Sequence, residues 1–190
     1  MKLKRGKFKE EDAWDCLKKI SYLNSRMQAV LEYSAMAQFN TKEEFMEGNL
    51  FDFIEEYAMN ILNRSDRLKV QVVRSDTEGI EMKFVPQNIA IILDNVVSNS
   101  TKYNANELRV LLGKDEKQYT IDFIDDGDGV SSDIADLNEL FEFGKGYTLT
   151  GTGVGLYHIK DIVEKDLQGT VTIESEPQKG FALHVRFGKV

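Results

Sequence analysis

The sequence predicts an α+β fold: a two-layer α/β sandwich in which a mixed sheet carries helices on one face, preceded by a long N-terminal helix. Three observations predict it. Segments with a helical apolar period are interspersed with short segments that alternate apolar and polar residues. Helices and hairpins follow one another without the regular βαβ rhythm of a doubly wound sheet, which argues for helices gathered on one side of a mixed sheet. Residues 10–39 contain neither Gly nor Pro, so an uninterrupted helix fits ahead of the sandwich. The chain divides into a helical segment, residues 1–40, and a globular domain, residues 41–190.

In the first segment Cys16, Ile20, Leu23, Met27, Val30, Ser34 and Ala37 recur at steps of four and three. That is a heptad-like stripe on one helix. Trp14, Leu17 and Leu31 widen the apolar face, which suits a bundle more than a slim two-stranded coil. The alternative is a helix packed on its own domain. Asn40-Thr41 ends it, and a short strand is expected over 44–47. Asn49 reads as the N-cap of a helix from Leu50 to Leu62, with Phe51, Ile54, Tyr57, Ala58 and Ile61 on one face. Strands follow at 68–73 and 79–84. Pro86 opens the next helix, 87–102, where its missing N–H costs little. Strands 108–112 and 119–124 are joined by the polar turn 113–118. Residues 132–143 read as short helix or irregular, 152–167 as a helix, and 170–175 and 181–187 as a final pair of strands.

Composition narrows the function classes. The 190 residues are 42% hydrophobic and 29% charged, as in globular domains. A net charge of −8 argues against general attraction to nucleic acid or an anionic membrane. The single Cys16 excludes an internal disulfide and a cysteine-rich metal site. No apolar run reaches ~18 residues, so no segment reads as a membrane span. Lys2, Lys4, Arg5, Lys7 and Lys9 are not followed by an apolar stretch, so no signal-peptide pattern appears.

Four separated motifs carry the chemistry. The first is Asn95-Val96-Val97-Ser98-Asn99-Ser100-Thr101-Lys102-Tyr103. Asn95 and Asn99 are one helical turn apart and share a face with Lys102 and Tyr103. Asn99 can offer a neutral carbonyl oxygen to Mg²⁺, which needs few protein ligands because it keeps several waters. Lys102 can place a positive charge near phosphate oxygens, and Tyr103 can stack or hydrogen-bond beside a nucleotide. The second is Asp125-Asp126-Gly127-Asp128-Gly129, after a strand in which Tyr119, Ile121 and Phe123 alternate. Gly127 and Gly129 permit a close ligand approach. A calcium loop fails here, because the frame that uses Asp126 and Asp128 puts Ile124 at position one and Ala135 at position twelve. The third is Leu140-Phe141-Glu142-Phe143, whose aromatics read as core. It is followed by a short loop with Gly144, Lys145 and Gly146, which is no P-loop because no Ser or Thr follows the lysine directly. The fourth is Gly151-Thr152-Gly153-Val154-Gly155-Leu156 at a helix start, where backbone N–H groups favour phosphate oxygens. Its spacing and its position after a loop rule out a dinucleotide fingerprint.

In this order and at this spacing the four motifs resemble the N, G1, F and G2 boxes of the histidine-kinase-like ATPase superfamily, which includes the Hsp90, MutL and gyrase ATPases. The resemblance covers roughly residues 85–187. It implies the α/β sandwich of that superfamily's ATP-binding domain, with ATP and Mg²⁺ as cofactors. It implies that Asp125 accepts the adenine amino hydrogen, that Asn99 holds the metal, and that Lys102, Tyr103 and Lys145 line the nucleotide. It further implies contributions from Gly127, Gly129, Gly151, Thr152, Gly153, Val154, Gly155 and Leu156, and a lid over residues 144–150. Members often have Gly-Thr in the last hairpin, where this chain has Gly180-Phe181.

Within the superfamily the sequence is most similar to the catalytic domain of sensor histidine kinases, whose motif Asn-x-x-x-Asn-x-x-Lys/Arg-Tyr/His it matches at Asn95, Asn99, Lys102 and Tyr103. Hydrolysing branches carry a Glu as general base at the position of Asn95, and an amide cannot take the proton. Asp94 is acidic but about 100° around the helix. The expectation is therefore phosphoryl transfer to a histidine on a helical hairpin outside this chain, involving Asn95, Asn99 and Lys102. A hydrolysing ATPase module and a non-catalytic nucleotide-sensing module are the alternatives. His158 and His184 read as structural. Residues 1–40 would correspond to part of the kinase dimerisation hairpin, with a homodimer through residues 14–37. The expected partners are a histidine-bearing dimerisation helix and a response regulator. The expected location is cytoplasmic, free or as the cytoplasmic part of a membrane-bound sensor.

Overall fold

A computed structural model describes residues 45–60, 62, 67–75, 78–114, 116–145 and 153–188. The expected helix of residues 1–40, the expected homodimer face, and Gly146, Gly151 and Thr152 lie outside the described residues.

Among the described residues, two sheets and three α-helices make the fold. Strand β1 (Met46–Asn49) leads into helix α1 (Leu50–Asn60). Strands β2 (Lys69–Arg74) and β3 (Glu81–Phe84) come next, then helix α2 (Pro86–Lys102). The hairpin β4 (Glu107–Lys114) and β5 (Gln118–Asp125) follows. A 3-10 helix, Leu137–Phe141, precedes helix α3 (Gly155–Lys165), and β6 (Thr170–Ser175) and β7 (Phe181–Gly188) close the chain. The main sheet has the order β2-β4-β5-β7-β6 and is mixed: β2 runs parallel to β4 and the remaining pairs are antiparallel. A parallel pair needs a long crossover, here through β3 and α2.

Local signals explain most boundaries. The Asn49 side chain caps α1, its Oδ1 accepting from the N–H groups of Phe51 at 3.1 Å and Asp52 at 3.3 Å. Pro86 sits in the first turn of α2. One point differs from expectation. The strands predicted over 44–47 and 79–84 do not join the main sheet. They pair with each other as β1 and β3, Met46 opposite Phe84, in a separate two-stranded sheet. The Asn49 amide holds this corner as well, taking the Ile80 N–H at 3.2 Å and donating to the Glu78 carbonyl at 2.8 Å.

The core lies between the helices and one face of the main sheet. Leu50, Phe51 and Ile54 from α1, Ile89, Leu93 and Val96 from α2, and Ile159 and Val163 from α3 cover Val110, Ile121, Phe123, Leu183 and Val185. Strand alternation turns Asp122, His184 and Arg186 to the opposite face, where Asp122 accepts from Arg186 and meets His184 Nδ1 at 2.8 Å. Among the described residues no helix is long and apolar enough to cross a membrane.

Candidate functional site

Asp125 ends β5 in phase with Ile121 and Phe123, so its carboxylate is on the helix-covered face and only 9% exposed. A buried carboxylate needs donors. Oδ2 accepts from the Ser100 hydroxyl of α2 at 2.8 Å. Oδ1 accepts from the N–H groups of Gly127 at 3.0 Å and Phe181 at 3.2 Å. The two acids that follow do different work. Asp126 accepts from the N–H groups of Asn106 and Glu107, and these bonds, that of Glu107 foremost, hold its carboxyl below the usual aspartate range. Asp128 takes the Asn104 amide at 2.6 Å and its N–H donates to the Tyr103 carbonyl at 2.9 Å. Asp126 fastens the loop to the start of β4, and Asp128 fastens it to the residues just after α2. Gly127 serves the same packing: a Cβ there would lie 2.6 Å from the Tyr103 carbonyl oxygen. No group of three or more acids, His or Cys able to hold a metal exists among the described residues.

Helix α2 supplies the opposite wall. It lies against α3 in reverse direction, Asn88 near its start bonding Asp166 just beyond the end of α3, and Asn95 meeting the start of α3 at Gly155. A Cβ on Gly155 would come within 2.6 Å of Asn95 Oδ1, so the glycine lets the two helices close together there. The Asn95 Nδ2 donates back to the Ile91 carbonyl at 2.8 Å. Asn99 and Lys102 are one and two turns further along the same half-buried strip, beyond the beginning of α3. The Asn99 side chain has no hydrogen-bond partner among the described residues. Lys102 has no carboxylate partner among them either; its ammonium lies over the Tyr103 ring at 5.2 Å, and burial pushes its pKa down. An amide oxygen and a partly desolvated, unneutralised ammonium side by side are a donor set that fits a magnesium-bound polyphosphate.

Asp94 faces elsewhere. It accepts from the Tyr57 hydroxyl of α1 at 3.0 and 3.1 Å, and burial, aided by this carboxylate, pushes the tyrosine up to about 12.

Of the fourth motif, Gly153, Val154, Gly155 and Leu156 are described. Val154 is 1% exposed, so it can offer a ligand its backbone alone, while Leu156 is partly buried against the core. The Gly153 carbonyl accepts from the Gly144 N–H at 3.0 Å, closing the ends of the expected lid. Lys145 pairs with Glu142 at 2.8 Å and Glu139 at 3.1 Å, which raise its pKa. Phe141 is core, as expected, while Phe143 is exposed and meets Tyr157 edge-on. His158 is buried in α3 and burial pushes its pKa down.

The contacts of two residues of this site were not anticipated. Ser100 sits inside the first motif but looks like filler, because its partner Asp125 is 25 residues away. Gly180, with φ +85°, brings the last hairpin so close that a Cβ would overlap the Asp125 carbonyl oxygen. The connection 176–180 between the last two strands does not show in sequence what it rests on.

A sequence profile of the family described as histidine kinase-, DNA gyrase B- and HSP90-like ATPase matches residues 84–189. The chain belongs to this family. ATP binding is implied by membership in this ATPase family. Its matched residues run from the last residue of β3 through β7, which contains every motif described above. A curated relative, the sensor protein kinase PilS of Pseudomonas aeruginosa, is 27% identical over 172 residues, 87% of this chain. The chain spans 31% of that relative's length. Among solved structures, the histidine kinase AdeS of Acinetobacter baumannii superposes with a TM-score of 0.61 at 14% identity, covering 96% of this chain and 86% of AdeS. The catalytic domain of histidine kinase ThkA gives 0.63 at 19% identity, covering 77% and 96%. The ATP-binding domain of PrrB from Mycobacterium tuberculosis gives 0.59 at 18%, covering 77% and 98%. At such identities the structures establish a shared fold.

Proposed function

We propose that this chain is the ATP-binding catalytic domain of a sensor histidine kinase, and that it directs the γ-phosphoryl group of magnesium ATP to a histidine on a helical hairpin outside the chain. The observation that carries the reading is the state of Asn95. Where a hydrolysing branch has a glutamate, this chain has a neutral amide committed to the Ile91 carbonyl at 2.8 Å. The neighbouring acid, Asp94, is engaged by Tyr57 on α1. Neither offers a base to a water at the phosphate.

The residues divide the work. Asp125 reads the adenine amino group and favours ATP over GTP, whose base presents an acceptor there. Asn99 holds the metal. Lys102, the N–H groups at the start of α3 and Lys145 neutralise phosphate oxygens. Magnesium ATP supplies the phosphoryl group, and phosphoryl transfer needs mainly positioning and charge stabilisation from the protein. The two histidines support an outside acceptor: His158 is buried in α3, and His184 is bound to Asp122 on the sheet face away from the helices. The partners in this reading are a dimerisation hairpin and a response regulator, on the cytoplasmic side of the cell.

Incubation with γ-labelled ATP tests it. Acid-labile, base-stable label should appear on a supplied acceptor hairpin and be absent from this chain, with slow phosphate release. Label on His158 or His184 overturns the reading. Sustained phosphate release without transfer favours the hydrolysing alternative.

A further inference from the structure

The Ser100–Asp125 hydrogen bond has no place in the motif chemistry described above. Ser100 is 1% exposed, so it cannot touch a ligand itself. A serine inside a helix commonly bonds back to the preceding turn. Here its hydroxyl donates instead across to Asp125 Oδ2 at 2.8 Å. An ionised carboxylate has about four acceptor sites, two on each oxygen. Both sites of Oδ1 are taken, by the N–H groups of Gly127 and Phe181. One site of Oδ2 is taken by Ser100. The remaining site is therefore on the oxygen that Ser100 holds, on a residue that keeps 9% exposure. Position 181, where the resemblance leads one to expect a threonine hydroxyl, contributes only its N–H. The hydroxyl on this carboxylate comes from α2 instead.

We infer that Ser100 is a positioning and specificity-determining residue: it fixes the rotation of the Asp125 carboxylate so that Oδ2 meets the exocyclic amino group of adenine. This rests on the proposed reading of Asp125 as the adenine-binding acid. Ser100 acts through Asp125, so its removal should affect only ligands that carry the amino group.

Titration calorimetry on the full chain with ATP and with purine riboside triphosphate, which lacks that group, tests the inference. The unaltered protein should prefer ATP. Ser100→Ala should reduce that preference about 3- to 10-fold, the worth of one hydrogen bond, while affinity for the amino-free nucleotide changes less than about twofold. That second affinity also reports an intact fold. Ser100→Thr, which keeps the hydroxyl, should retain the preference; a loss as large as that of the alanine variant counts against the hydroxyl. Equal weakening of both nucleotides by Ser100→Ala, or no change in either, overturns the inference. Asp125→Asn separates the two levels. If it removes the preference and Ser100→Ala does not, only the role of Ser100 fails. If Asp125→Asn also leaves the preference intact, the adenine reading of Asp125 fails with it.

Discussion

The two ends of the candidate site are built differently. At the proposed adenine end the acids already have partners: Asp125 holds three donors, Asp126 ties its loop to the start of β4, Asp128 ties it to the residues just after α2, and the last hairpin closes over the backbone at Gly180. At the proposed phosphate end the side chains of Asn99 and Lys102 have no hydrogen-bond or carboxylate partner among the described residues, and Lys145 is paired with two glutamates. A neutral base can be met by a prebuilt pocket at little electrostatic cost. In the proposed reading Lys145 is held by exposed ion pairs that a polyphosphate can replace. In that reading one end recognises its ligand with prebuilt geometry and the other assembles on binding.

The largest effect should come from breaking the rigid end. Gly180→Ala puts a Cβ into the Asp125 carbonyl at a φ of +85°. It should cost about 3 kcal/mol or more of stability in urea unfolding. A loss below about 1 kcal/mol would mean that the hairpin can move away and that the end is less rigid than the packing indicates.

Next, Asp125→Asn keeps the shape and removes the charge. ATP should bind about 30-fold more weakly or worse in titration calorimetry, with GTP little affected. Equal affinity of the unaltered protein for ATP and GTP would sink the assignment.

At the phosphate end, Asn99→Ala should weaken ATP about tenfold in the presence of Mg²⁺. Chelation of the metal should bring the variant and the unaltered protein to the same affinity. A difference that persists without metal would assign Asn99 a contact with the nucleotide itself.

The smallest effect should be a gain. Glu139→Gln with Glu142→Gln releases Lys145, and ATP should then bind about two- to threefold more tightly, the gain fading as salt is raised, because these pairs are exposed. Unchanged affinity at low salt would show that Lys145 plays no part in phosphate binding.

The sequence by itself determined the succession of elements and the four motifs. The Asn49 cap, Pro86 at the start of α2 and the final strands are set by contacts within a few residues, and a local period or cap is visible in the chain. The donors on Asp125, the overlap that demands Gly180, the pairing of β1 with β3, and the capture of Lys145 by Glu139 and Glu142 were decided by tertiary structure. Ser100 and Phe181 are 25 and 56 residues from Asp125 in the chain and on either side of it in space. A hydrogen bond has a range of about 3 Å, and no sequence period encodes which distant residues the fold brings within it.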